Sequence, residues 1–185
     1  SVTSGGVSEL LDAILAYMPG PADISPPEAS KDGSPISLRT DSSDPLVALV
    51  FKTSADPFVG KVSYLRVISG TLASNQEAWD ATKNETERIG QIFVPVGKSQ
   101  EAVTKLEAGD IGCVPKLAHA VTGDTITLRS QALTLPRIDF PQAVYQVAVH
   151  PKSKADSDKM SSAIARLTEE DPSLRVAREQ ATGEL

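Results

Sequence analysis

The chain has 185 residues, 40% of them hydrophobic and 23% charged, with a formal net charge of −6. Those proportions suit a chain that buries a core and exclude a disordered one. The acidic balance argues against nucleic-acid binding driven by bulk charge alone. A single cysteine, Cys113, rules out an internal disulfide. With only His119 and His150 beside it, no zinc site of Cys/His spacing can be written. No apolar run approaches the roughly 20 residues of a membrane span. The first residues lack the basic segment of a signal peptide. A cytoplasmic protein without a membrane partner is the expectation.

Residues 7–18, VSELLDAILAYM, predict a helix, because Val7, Leu10, Leu11, Ile14, Leu15 and Met18 share one face. Ser8 or Ser4 is the candidate cap, and Pro19-Gly20-Pro21 stops the helix. A helix this short is marginal alone, so its apolar face calls for a partner. Residues 19–45 are rich in proline with Gly, Ser and Asp, and read as a linker or long loop. Acidic residues outnumber basic ones 6 to 2 across residues 1–43.

From Asp44 the period changes. Predicted strands follow at Leu46–Lys52, Val62–Ile68, Thr71-Leu72, Glu77–Ala81, Arg88–Val94, Ala102–Leu106, Ile111–Val114 and Thr125–Leu128. Turn signals separate them: Asp56-Pro57, Ser69-Gly70, Ser74-Asn75, Lys83-Asn84, Gly97, Ala108-Gly109-Asp110 and Thr122-Gly123-Asp124. Short, evenly spaced strands of this kind predict an all-β barrel or sandwich. Pro95 and Pro115 are expected to close strands. Residues 137–185 then read as β-α-β: a strand at Ala143–His150, a helix at Ser157–Glu170 capped by Asp156 or Ser157, and a strand at Ser173–Ala177. One such unit does not close a core by itself.

Little in the sequence suggests catalysis. Gly97-Lys98-Ser99 mimics the end of a phosphate loop, but the glycine required at 92 is Ile92. Glu169-Glu170-Asp171 reads as a solvated helix end, and Cys113, within IGCV, as a buried inert thiol. Trp79 reads as core packing. No triad, metal box or carboxylate pair stands out.

The order of phrases is more specific. DPFVG at 56–60, ERIGQI at 87–92, LEAGDIG at 106–112, TGDTI at 122–126 and FPQAVYQVAVHPKSKADSDKMSSAIARLTEEDPSLRV at 140–176 resemble elongation factor G, the ribosomal translocase among translational GTPases. The resemblance covers nearly the whole chain. It implies that residues 1–22 are the last helix of a GTP-binding domain and 23–43 a linker. Residues 44–136 would then be the translation-factor β-barrel, and 137–185 the first half of a ferredoxin-like domain. The fold class expected is therefore mainly β with a partial α+β unit. The resemblance further implies a ribosome-binding GTPase whose GTP and Mg²⁺ site lies in a GTP-binding domain elsewhere in the protein. The stretch here would hold no cofactor and no catalytic residue.

For the barrel, the resemblance implies contact with small-subunit ribosomal RNA, for which Lys83, Arg88 and Lys98 are the candidates. It implies a face toward the GTP-binding domain at Asp56, Pro57, Phe58 and Gly60. Three features depart from the family pattern: Phe93–Gly97, Pro115-Lys116-Leu117 and the long acidic stretch 23–44. They point to the alternative of a paralogue in ribosome recycling, rescue or protection.

Overall fold

The structure, a computed structural model, describes residues 5–56 and 59–177. Helix α1 covers Val7–Tyr17. It starts at Gly6, whose φ of 77° is left-handed backbone, and no side chain caps it. Ser8 therefore lies inside the first turn rather than at the cap, and Ser4 falls outside the described residues. The apolar face is in solvent: Leu10, Leu11 and Leu15 are all exposed.

The segment expected to be a plain linker folds onto the barrel. Strands β1 (Ala29–Lys31) and β2 (Ser34–Ile36) form a hairpin. Its turn, Asp32-Gly33, has φ of 50° and 82°, the doubly left-handed turn that suits the twist of a hairpin. Ser30 exchanges backbone hydrogen bonds with Thr134, at 2.7 and 2.9 Å. Ala29 packs with Val47, Leu133 and Leu135 in a second small core that Ile36, Leu38, Leu49 and Ile68 flank. The proline content masked an Asp-Gly hairpin signal and an apolar face able to bury itself. Residues 29–44 are a strap across the barrel.

Ten further strands follow: β3 (Val47–Asp56), β4 (Gly60–Ser69), β5 (Thr71–Ala73), β6 (Glu77–Asp80), β7 (Glu85–Arg88), β8 (Ile92–Val96), β9 (Ser99–Val103), β10 (Lys105–Glu107), β11 (Ile111–Pro115) and β12 (Thr125–Thr127). Eight make one antiparallel sheet in the order β7-β6-β12-β3-β4-β11-β8-β9, and β5 pairs with β10. The sheet curls. Ala78 from one side and Ile92 from the other join Ala48, Val50, Leu65, Val67, Val114 and Ile126 in one core. The start of β3 is buried on both faces, with Ala48 and Val50 in the main core and Val47 in the strap's. That is why LVALV reads as a continuous apolar run rather than an alternation.

The turn signals correspond to left-handed residues at Gly60, Gly70, Asn75, Asn84, Gly97, Gly109 and Gly123. Gly70 is the most constrained, since a Cβ there would lie 2.6 Å from Leu46 backbone atoms. Three expectations need correction. Arg88–Val94 is two strands, broken at Ile89–Gln91, because Ile89 turns inward to full burial. Ala102–Leu106 likewise divides between β9 and β10. Pro95 sits inside β8 opposite Gln100. The partner β11 reaches β8 only at Phe93, so Pro95 interrupts no ladder on that side.

Beyond the barrel, helix α2 covers Lys154–Glu170 and lies against β3. Its cap is Ser153, whose hydroxyl accepts from the Asp156 N–H, so Asp156 and Ser157 fall in the first turn. Glu170 accepts a 2.5 Å hydrogen bond from the Ala55 N–H of β3. The segments 143–150 and 173–177 are not strands here. A strand needs a neighbouring strand to pair with, and among the described residues neither segment joins a ladder. Val144, Tyr145 and Val147 are accordingly exposed.

Candidate nucleic-acid interface

Strand direction fixes which loops meet. Every neighbour in the eight-stranded sheet is antiparallel, so β3, β6 and β11 run one way and β4, β7, β8 and β12 the other. The β3–β4 tip, the β6–β7 turn and the loop 116–124 therefore share one end of the barrel. The β8–β9 turn, with Lys98, lies at the opposite end. Lys83 and Lys98 are therefore on different ends of the barrel.

At the first end the β6–β7 hairpin is laced to loop 116–124. The Lys83 ammonium sits 3.0 Å from Asp124 Oδ2 and donates to the His119 carbonyl at 2.5 Å. Asp124 is 5% exposed and also accepts from the Val121 N–H. Glu87 is wholly buried and collects three backbone donors: Ala118 N–H at 3.0 Å, then His119 and Ala120 N–H, both at 2.5 Å. These bonds satisfy a carboxylate that burial would otherwise penalise heavily. Asp80 accepts from the Thr82 and Lys83 N–H groups through Oδ1, while its buried Oδ2 has no partner. Burial raises the Asp80 carboxyl to about 6, and the neighbouring Asp124 charge adds to this against the two backbone bonds. Lys83 thus already has an anionic partner, whereas Arg88 and Lys98 belong to none of the ion pairs among the described residues.

Arg88 is exposed on β7 and stands opposite Glu77 on β6. Lys98 is exposed in the two-residue turn after Val96, where Gly97 takes a φ of 60°. At the β3–β4 tip, Asp56 Oδ1 accepts from the Val59 N–H at 2.9 Å, and Gly60 takes a φ of 87°. Both therefore hold the turn. Pro57 and Phe58 lie outside the described residues. Beside the tip, the Lys116 N–H bonds the Lys61 carbonyl at 2.8 Å, and Lys116 itself is left-handed, with φ 60°.

Two groups escaped the sequence reading. Trp79 lies outside the two cores: Ala78 and Asp80 on either side are buried, and it sits half-buried on the opposite face of the sheet. The Arg129 guanidinium stacks over its ring at 4.9 Å. The alternation in EAWD carried that information. Nothing in the sequence singles out Glu87, and β7 carries no alternation that would signal its burial, since Glu85 of the same parity is exposed. Cys113 is buried as expected, and burial pushes its thiol up, away from reactivity.

Comparison with known proteins identifies the lineage. The family model for elongation factor G domain 2 matches residues 45–129, and that for elongation factor G domain III matches residues 140–185. The chain belongs to the elongation factor G family. A crystal structure from Thermus thermophilus superposes with a TM-score of 0.71 at 32% identity, covering 97% of this chain and 25% of that one. The chain thus spans a quarter of that protein's length. The barrel seen here is the part that the domain 2 model covers, and α2 lies within the domain III match. As an elongation factor G relative, the chain is translation-factor-like. No helix among the described residues is long and apolar enough to cross a membrane.

Proposed function

We propose that this chain is the barrel-centred part of a cytoplasmic, ribosome-binding GTPase that promotes GTP-dependent translocation during protein synthesis. The observation that carries the reading is the pair of domain matches in family order, 45–129 followed by 140–185, on a fold with the barrel and helix in those places. In this reading GTP and Mg²⁺ are held by a GTP-binding domain elsewhere in the protein. Phosphoryl transfer would then be done there, and the barrel would dock and transmit movement as a rigid body.

Docking on small-subunit ribosomal RNA would use cations free to meet phosphate. Arg88 and Lys98 fit that role best, being exposed and outside the barrel's ion pairs. Lys83 contributes by fixing the hairpin that carries Arg88. The β3–β4 tip, including Asp56 and Gly60, would face the GTP-binding domain in cis. A second reading, a paralogue in ribosome recycling, rescue or protection, draws support from Lys116 and the strap, where the chain departs from the family's sequence pattern.

The test uses the full-length protein with GTP on pre-translocation ribosomes. Movement of the messenger by one codon supports the translocase. Ribosome-stimulated GTP hydrolysis without movement supports the paralogue, and neither activity overturns both.

A further inference from the structure

The junction between the β6–β7 hairpin and loop 116–124 holds three buried carboxylates, Asp80, Glu87 and Asp124, and a single ammonium, Lys83. Glu87 is satisfied by three backbone donors. Asp124 takes the ammonium and the Val121 N–H. Asp80 is left with two backbone donors on Oδ1 and none on Oδ2, at 0% exposure. One negative charge is therefore buried without a cation of its own, beside a second carboxylate. Burying a carboxylate beside a second like charge disfavours its ionised form and draws a proton to it as pH falls.

Among the described residues, the surroundings of Asp80 supply no other cation. From β7 it faces Glu85, its register partner, and beyond it Glu87; from β12 it faces Ile126. The turn contributes Lys83, and loop 116–124 contributes Asp124 together with the His119 carbonyl that Lys83 also holds.

We infer that Asp80, buried beneath Lys83 with an unpartnered Oδ2, is a proton-holding carboxyl beside Asp124, so that the β6–β7 hairpin is an acid-tightened latch on loop 116–124. This inference stands independently of the ribosomal reading. The sign follows from linkage. A carboxyl raised above its unfolded value binds its proton more readily in the folded state, so stability falls as pH rises between the two values. With the Asp80 carboxyl near 6 in the fold against 3.8 as its ordinary value, its contribution to the unfolding constant grows about tenfold from pH 5 to pH 7. The hairpin carrying Arg88 would then be firmest in mild acid.

The test compares urea unfolding of the protein and of Asp80→Asn from pH 4 to pH 8. Asparagine keeps the Oδ1 acceptor and removes the charge. The expected result is that the tenfold term disappears in the variant, which at pH 7 is at least as stable as the parent. Parallel profiles overturn the proposal, as does a variant uniformly weaker at every pH. Should the variant fail to fold, carbon-detected NMR of the unmodified protein reads the Asp80 carboxyl directly. Titration near pH 6 supports the proposal, and titration below about pH 4.5 overturns it.

Discussion

The barrel and the stretches on either side of it hold comparable apolar sequences and put them to opposite use. Leu65, Val67 and Ile126 of the barrel are fully buried, while Leu15 of α1 is 83% exposed and Val144 of the C-terminal stretch is 100% exposed. Periodicity marks which face of an element is apolar. It does not supply the second surface that makes burial possible. In the barrel that surface is the rest of the curled sheet. The apolar face of α1 and the side chains of Val144, Tyr145 and Val147 stay exposed, and residues 143–150 have no strand geometry.

The sharpest way to break this contrast is to remove what holds the barrel's own loops. Glu87→Ala would leave three inward backbone N–H groups without an acceptor, at about 1–3 kcal/mol each if none relaxes. A loss of about 3 kcal/mol or more is expected in the chemical-denaturation free energy. A loss under about 1 kcal/mol would mean that water replaces the carboxylate and that loop 116–124 is not laced by it.

A matched pair of leucine truncations comes next. Leu65→Ala should cost about 2–5 kcal/mol through lost burial and the cavity left behind. Leu15→Ala, on the exposed face of α1, should stay within about 0.5 kcal/mol. Equal costs would show that α1 packs on something in solution, and the contrast between regions would fail.

The strap supplies an intermediate case. Leu135→Ala, in the small core beneath the β1–β2 hairpin, should cost about 2 kcal/mol, the low end for a core leucine. It should also speed amide exchange at Ser30 and Thr134, which bond each other across the strap. Unchanged exchange there would return residues 29–36 to the status of a loose linker.

These cases also show how much of the molecule was legible. The barrel was, because Gly and Asn turns punctuate it and a left-handed residue stands at most of the predicted turns. The strap was not, because six prolines between 19 and 45 outweighed the Asp-Gly pair in the reading. The candidate interface was half legible. Lys83, Arg88 and Lys98 are exposed. Which end of the barrel each occupies depends on strand direction across eight strands, a non-local property that spacing along the chain does not encode. Trp79 shows what residue type hides, since the alternation in EAWD places it on the face opposite Ala78 and Asp80. The burial of Glu87 depends instead on loop 116–124 folding over it, a non-local contact.

The smallest effect concerns the departure from family pattern at Lys116. Lys116 holds a φ of 60° at the end of β11, with its N–H committed to the Lys61 carbonyl. A side chain in left-handed backbone costs about 1 kcal/mol relative to glycine. Glycine regains flexibility in the unfolded chain, which offsets part of that. Lys116→Gly should therefore stabilise by about 0.5 kcal/mol, read as a small rise in the denaturation midpoint at unchanged slope. The same substitution removes a cation beside the β3–β4 tip. If stability rises while ribosome-stimulated GTP hydrolysis of the full-length protein falls, the lysine is retained for its charge against its backbone cost, as strained residues at functional sites are. If both are unchanged or improve, the departure at 116 is drift, and the barrel's working end reduces to the hairpin that Glu87 and Lys83 hold in place.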